Sequence, residues 1–124
     1  MTFVRAALCA AFLSLAPATA FADTVVLRVL DKTSGAARHI GAPVGRAVSF
    51  ETLRITARAC QKKPPEDVPE VKAYLEIDYR PLTDAGQPKA AETMIFSGWM
   101  FASSPALNAL EHPTYDVWVI DCRS

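Results

Sequence analysis

Residues 96–122 read FSGWMFASSPALNALEHPTYDVWVIDC, and this stretch contains two strand-like segments joined through Ser-Ser-Pro. The first segment, residues 94–101, is apolar on both faces, which predicts a central strand covered on each side, with Gly98 allowing close approach of a neighbour. In the second segment, residues 114–122, apolar residues alternate, which predicts a final strand ending at Cys122. The stretch therefore predicts a β-rich fold.

The connection between these segments predicts a short helix. Ser103 or Ser104 is suited to cap the helix, because a serine hydroxyl accepts from free backbone N–H groups of a first turn. Pro105 suits the first helical position, where no hydrogen bond is lost. Residues 106–111 then supply one or two turns before Pro113 ends them.

The rest of the chain is built from alternating segments and loops. Period-two alternation predicts strands over residues 24–30, 37–40, 47–60 and 73–80. Residues 61–71 contain three prolines among charged residues, which predicts an exposed loop. The pattern predicts a mainly β fold: one antiparallel β-sandwich or small barrel of about six to seven strands with one short helix.

The N-terminus has the layout of a cleavable secretory signal peptide. Arg5 precedes an apolar run that breaks at Pro17, and the small residues Ala20 and Ala22 flank Phe21. The run is shorter than the roughly 20 residues that span a bilayer. We therefore expect residues 1–22 to be removed, the protein to be periplasmic, and no transmembrane segment to remain. An uncleaved anchor is the alternative.

Residues 23–124 suit a single β-rich domain, because about 100 residues is the common size of one compact unit. Without Arg5, 12 Lys and Arg residues face 13 Asp and Glu residues, with the two signs interspersed. A nucleic-acid-binding surface needs clustered basic residues, so none is predicted.

Two cysteines remain after signal removal, Cys60 and Cys122. Disulfides persist in exported proteins, so we expect these two to be bonded. Free thiols or half of a metal site are the alternative, although neither cysteine belongs to a Cys-x-x-Cys motif or has a histidine nearby in sequence. His39 and His112 are each alone in their neighbourhoods, and no metal or cofactor site is predicted.

Three segments carry a resemblance to a known family: VVLRVLDKTSG (25–35), LRITARACQKKPPE (53–66) and the stretch 96–122. Together they resemble the DUF2155 family of small exported proteins of alphaproteobacteria, over essentially the whole mature chain. The resemblance implies a periplasmic single domain and names no reaction. It further implies an accessory role on the periplasmic side of a membrane respiratory complex similar to complex I.

Ser104, His112 and Asp116 are the three residue types of a hydrolase triad. A working triad also needs an exposed serine on a strained turn and an oxyanion hole, which a motif such as G-x-S-x-G would signal. That motif is absent, and the serine and histidine have adequate roles at the ends of the predicted helix. The sequence therefore favours a protein that is not an enzyme.

Two hypotheses for the function follow. The first is an exported structural or interaction domain that docks on a protein partner. The second is a small-molecule or glycan-binding module that uses Trp99 and Trp118 as stacking platforms, although such aromatic residues are more often core. The residues expected at an interaction surface are Trp99, Ser103, Ser104, Pro105, His112, Tyr115 and Trp118.

Overall fold

The structure, a computed structural model, describes Ala11 and residues 23–124. Apart from Ala11, the predicted signal peptide lies outside the described residues. The strands are β1 (Thr24–Asp31), β2 (Ala37–Pro43), β3 (Ala47–Phe50), β4 (Leu53–Lys62), β5 (Val71–Tyr79), β6 (Thr93–Phe101), β7 (Leu110–Glu111) and β8 (Tyr115–Arg123), with one 3-10 turn at Pro105–Leu107.

The strands form two four-stranded antiparallel sheets. The first sheet has the order β2-β1-β8-β7, and the second has the order β3-β4-β5-β6. Within the described residues the chain crosses between the sheets twice, after β2 and after β6, so the strands of the first sheet are not all consecutive in sequence. The mainly β, antiparallel character predicted from the sequence is confirmed.

Inner faces of both sheets contribute to one core. Most of the fully buried side chains come from alternating positions of four strands, as period-two patterns require, and Ala42 of β2 and Met100 of β6 add to them. They include Val25, Leu27 and Val29 of β1, Leu53, Ile55 and Ala57 of β4, Ala73, Leu75 and Ile77 of β5, and Val117 and Val119 of β8. The two sheets stay separate across this core, so the small-barrel alternative does not describe the fold.

The strand count of six to seven is wrong, because residues 47–60 are not one strand. The chain turns at Glu51 and Thr52, and Phe50 of β3 pairs with Leu53 of β4. Glu51 makes this turn with a φ of 50°, a region in which a non-glycine residue is strained by about 1–2 kcal/mol. The short strand β7 raises the count to eight.

Strand β6 is not the central strand that its apolar sequence predicts. It lies at the edge of the second sheet and pairs with β5 alone. Asn108, in the connection that follows, donates from Nδ2 to the Trp99 carbonyl oxygen at 2.8 Å. A Cβ added at Gly98 would lie 2.8 Å from that Nδ2 atom, so the glycine makes room for the side chain that covers this edge.

The predicted helix is a single 3-10 turn. Pro105 begins it as expected, but Ser104 at its N-cap makes no side-chain capping hydrogen bond. The turn ends at Leu107, because the chain then extends at Asn108 and pairs as β7 with β8. The prediction of one or two turns over residues 106–111 and of a capping serine is therefore wrong.

Cys60 and Cys122 are joined by a disulfide, with their Cα atoms 5.9 Å apart. Simple alternation would turn both side chains away from the core. A β-bulge in each strand changes this: Arg58 is the extra residue of β4 against β5, and Ile120 is the extra residue of β8 against β1. Each bulge reverses the alternation, so each cysteine faces the other sheet.

No helix in the described part of the chain is long and apolar enough to cross a membrane.

Candidate functional site

The residues expected at one interaction surface lie in separate places. Ser103 and Ser104 lie in the connection after β6, and Pro105, which follows them, lines a cavity of about 260 Å³ together with Trp118. Trp99 pairs with Tyr74 on the outer face of the second sheet, whereas Trp118 pairs with Arg28 on the outer face of the first sheet. His112 and Tyr115 lie together elsewhere, beside the β3–β4 turn. One ligand therefore cannot stack on both indoles, and the structure does not bring the predicted set together.

The proline loop, residues 63–70, connects β4 to β5 at the end of the sheets where the disulfide lies. Backbone hydrogen bonds close it: Lys63 N–H donates to the Glu70 carbonyl oxygen, and Asp67 N–H donates to that of Pro64. Prolines further restrict its conformations by fixing φ. Val68 at its tip is 81% exposed, so an apolar side chain is held out into solvent.

Glu70 ties this loop to the connection after β6. The Ser103 hydroxyl donates to Glu70 Oε2, and the backbone N–H groups of Ser103 and Val71 donate to Glu70 Oε1 at 3.4 and 3.1 Å. The hydroxyl bond is the main cause that holds the pKa of Glu70 below its ordinary value. Ser103 thus acts on the loop and not as a helix cap.

Three cavities surround Glu70. One, of about 460 Å³, lies under Pro64, Pro65 and Pro69. A second, also about 460 Å³, lies between the loop and the outer face of the second sheet, with Lys72 and Phe101 in its wall. A third, of about 260 Å³, lies between the loop and the bulge residue Ile120. The loop is therefore a fixed projection with clefts around its base.

Aromatic and basic side chains continue from the second cavity along the second sheet. Lys72 Nζ lies 5.1 Å from the centre of the Trp99 ring, a cation–π distance. Tyr74 meets Trp99 edge to face at 5.5 Å, and its hydroxyl lies 3.0 Å from Ser97 Oγ. Trp99 is half-buried in these contacts, which orient the ring without covering its outer surface fully.

A second polar cluster lies at the opposite end of the sheets. The His112 ring packs between Tyr79 and Tyr115, at centroid distances of 4.8 and 5.7 Å, and its Nδ1 accepts from Thr114 N–H. Burial, with Lys32 nearby, lowers the pKa of His112. Neutral imidazole is therefore favoured there.

Tyr115 connects this cluster to the strained turn. Its hydroxyl donates to Glu51 Oε2 at 2.6 Å and accepts from Thr52 Oγ1 at 3.4 Å. Burial and then the Glu51 carboxylate raise the pKa of Tyr115. The hydrogen bond to Tyr115 helps to hold Glu51 in its left-handed conformation.

Ser104, His112 and Asp116 do not form a triad. Ser104 precedes the 3-10 turn, whereas His112 lies against the two tyrosine rings at the opposite end. Asp116 is paired instead with Lys32, with 3.1 Å between Nζ and Oδ1. Among residues 23–124, no group of three or more His, Cys, Asp or Glu side chains is placed to hold a metal ion.

The sequence interpretation missed the residues that shape the proline loop. Glu70 and Ser103 are 33 positions apart, and no local pattern signals their contact. Phe101 is predicted only as the last residue of a strand, and Lys72 falls between the predicted loop and the next predicted strand. The density of prolines in residues 61–71 was the available signal, because fixed loops with exposed side chains commonly carry binding functions.

Comparisons with known proteins agree with the sequence resemblance. The model of a family described as "Uncharacterized protein conserved in bacteria (DUF2155)" matches residues 25–122. The chain is 30% identical over 95 residues to "Uncharacterized protein RP359" of Rickettsia prowazekii (strain Madrid E). The match covers 75% of this chain, which spans 56% of the length of that relative. No solved structure matches the chain significantly.

Proposed function

We infer that this chain, which belongs to the DUF2155 family, is an exported β-sandwich domain that acts by binding a protein partner through its proline loop. The observation that carries this proposal is the exposure of Val68 at the tip of a loop that is fixed at its base by Glu70 and Ser103. A loop held in one conformation loses little entropy on binding, which favours its use in recognition.

Apolar surface around the loop supports the same function. Pro64, Pro65 and Pro69 line its clefts, and Ile120, 37% exposed, faces the third cavity. Interfaces commonly combine an apolar centre with a polar, solvent-accessible rim. Here Lys63, Glu66 and Asp67 supply the charges, so the surface has the composition of a docking site.

The proposal places the domain, residues 23–124, in the periplasm after removal of residues 1–22. The signal-like N-terminus and the inter-sheet disulfide support this location, because disulfides persist in oxidising compartments. The partner assembly that we propose is a membrane respiratory complex of the complex I type, with the domain as an accessory subunit on its periplasmic side. The resemblance stated for the sequence supports this choice of assembly.

Affinity purification tests the proposal. The tagged protein is captured from detergent-solubilised membranes of the bacterium that encodes it, and retained proteins are identified by mass spectrometry. We expect subunits of a respiratory complex to be retained by the wild type and lost with Val68→Asp. Met94→Asp is the matched control, because Met94 is 54% exposed and lies on β6 near the opposite end.

Two results would contradict this function. One is that the wild type retains no membrane protein above the level of an untagged strain. The other is that Met94→Asp reduces retention as much as Val68→Asp does, since the loss would then not be specific to the proline loop.

A glycan-binding module remains the second candidate, favoured by the outer surface of Trp99 beside Tyr74 and Ser97. Sugars stack on exposed indole faces and accept hydrogen bonds from neighbouring hydroxyls. Because Trp118 lies on the opposite face, the two indoles would act separately. Titration of an oligosaccharide panel by NMR checks this: binding that Trp99→Ala abolishes and Trp118→Ala preserves would favour the glycan function.

A further inference from the structure

We propose that the cleft between the proline loop and β6 binds an acidic segment of the partner that carries an apolar or aromatic side chain beside its carboxylates. This inference rests on the proposed docking function and names the chemistry of the partner. The observation that carries it is the presence of two lysines, Lys63 and Lys72, that form no ion pair within residues 23–124 and lie beside an apolar wall in a preformed cleft.

Two cavities adjoin at the base of the loop and together form this cleft. The two cavities of about 460 Å³ share Lys62, Lys63, Pro64 and Glu70 in their walls. Each has a volume in the range of roughly 300–1,000 Å³ that is usual for ligand sites. A short extended peptide can therefore lie across both cavities.

Two of the three lysines in the cleft have charge available for a ligand. Lys62 is paired with Asp121, with 2.9 Å between Nζ and Oδ1. Lys63 and Lys72 form no ion pair within residues 23–124. Lys63 lies near enough to Glu70 to help lower its pKa, but both Glu70 oxygens already accept hydrogen bonds from Ser103 or Val71. A carboxylate from outside would complement the two lysines.

The apolar wall of the cleft favours a ligand that carries an apolar side chain beside its carboxylates. Phe101 and Pro64 line the second cavity, and Lys72 extends over the Trp99 ring. A ligand with an apolar side chain next to its carboxylates would bury that side chain against Phe101 while it pairs with Lys72. A ligand that has carboxylates alone would leave this wall exposed to water.

The acidic residues of the loop favour a narrow ligand, such as an extended peptide, over a broad anionic surface. Glu66 lies on the exposed loop, and Asp67 and Glu70 are in the wall of the first cavity beside Lys63. A broad anionic surface, such as a bilayer or a nucleic acid, would bring many negative charges against them, and like charges repel. An extended peptide can instead place single carboxylates at Lys63 and Lys72 in the second cavity, whose wall includes neither Glu66 nor Asp67.

Peptide binding to the purified, disulfide-bonded protein tests this inference. The probe is a capped octapeptide, Gly-Glu-Asp-Phe-Glu-Asp-Leu-Gly. Its controls are the same peptide with Gln and Asn in place of Glu and Asp, and an acidic peptide with Gly in place of Phe and Leu. In a Trp118→Phe background, Trp99 is the single indole of the chain, and its fluorescence reports binding next to Lys72.

We expect the acidic, apolar peptide to bind saturably and more tightly than either control, and to weaken as ionic strength rises. Lys63→Glu and Lys72→Glu should each weaken it by about tenfold or more, since each opposes a carboxylate at the site. Lys89→Glu makes the same charge change in the β5–β6 loop and should have no effect. Lys72→Gln removes the positive charge without introducing a negative one. Circular dichroism of each variant shows whether it is folded, so that lost binding is not mistaken for misfolding.

Absence of a saturable signal, equal binding of the uncharged peptide, or equal weakening by Lys89→Glu would overturn the inference. The docking function is judged separately, by membrane capture. If a Lys63→Glu, Lys72→Glu variant retains the partner while Val68→Asp loses it, the docking function stands and the acidic partner segment is wrong. If the peptide binds as expected but no membrane protein is captured, the cleft chemistry stands and the docking function fails.

Discussion

Cys60 of β4 and Cys122 of β8 are joined across the two sheets, and each follows a β-bulge that turns its side chain inward. Lys62 and Asp121 add an ion pair between the same two strands. The disulfide and the ion pair together fix the end of the sheets from which the proline loop projects. The binding loop that we propose thus projects from the end of the fold that the disulfide cross-links.

Replacement of both cysteines by alanine should strongly destabilise the protein. The bond closes a loop of 62 residues, which corresponds to about 4 kcal/mol of unfolding free energy in the chain-entropy model. Small domains have about 5–15 kcal/mol in total. Urea denaturation measures the loss, and reduction of the wild type should reproduce it. Equal urea midpoints for the oxidised wild type and the double variant would contradict this prediction.

Ser103→Ala should loosen the proline loop, whereas Ser104→Ala should not. Ser103 donates to Glu70, but the Ser104 side chain caps nothing. Amide hydrogen exchange at Lys63 and Asp67, whose N–H groups close the loop, should accelerate only in the first variant. Equal exchange in both variants would mean that Glu70 does not hold the loop.

The same substitution should change one titration. The Ser103 hydrogen bond lowers the pKa of Glu70 in the folded protein. The bond therefore stabilises the fold above pH 4.5, the ordinary pKa of the carboxyl, and this stabilisation is lost as the pH falls through the lowered pKa. In Ser103→Ala, the Glu70 carboxyl should titrate closer to 4.5. NMR titration of the carboxyl carbon measures this shift.

His112 should titrate below its ordinary pKa of 6.5, because burial and Lys32 disfavour the charged ring. Its contribution to stability is then complete above that value and is lost as the pH falls through the lowered pKa. His112→Gln should remove this part of the pH dependence while leaving the acid unfolding caused by carboxylates. A midpoint at or above 6.5 by NMR would contradict the packing described for the ring.

Gly98→Ala should displace Asn108, because the added Cβ would lie 2.8 Å from Asn108 Nδ2. Loss of the bond to the Trp99 carbonyl oxygen should cost about 1 kcal/mol, the usual net value of one hydrogen bond. If the contact between the new Cβ and Asn108 causes this loss of stability, Gly98→Ala should lower the free energy of unfolding much less in an Asn108→Ala background. Additive effects of the two substitutions would show that the contact is not the cause.

Alternation was sufficient to predict β1, β5 and β8 because one face of each of these strands is buried. Val25, Leu27 and Val29 follow period two, and so do Val117 and Val119. The turn at Glu51 escaped prediction because it has no Gly or Asn to mark a left-handed residue. The bulges at Arg58 and Ile120 also carry no sequence mark, so the direction of the two cysteine side chains could not be predicted, whereas their pairing was expected from their number and the predicted export.

The candidate site was harder to predict than the fold. The proline loop itself was expected to be exposed, but its fixed conformation depends on Glu70 and Ser103, which are distant in sequence. Likewise, the position of β6 at a sheet edge depends on how the two sheets are ordered, which its apolar sequence does not specify. Trp99 and Trp118 were grouped because both are tryptophans, and only the sheet order separates them.

Site-specific photo-crosslinking tests the docking claim most directly. A photoreactive amino acid is placed at Val68, 81% exposed on the proline loop, or at Met94, 54% exposed near the opposite end, and intact cells are irradiated. We predict that the Val68 position forms a defined crosslink to one membrane-complex subunit and that the Met94 position does not. A crosslink from Met94 but none from Val68 would contradict the account.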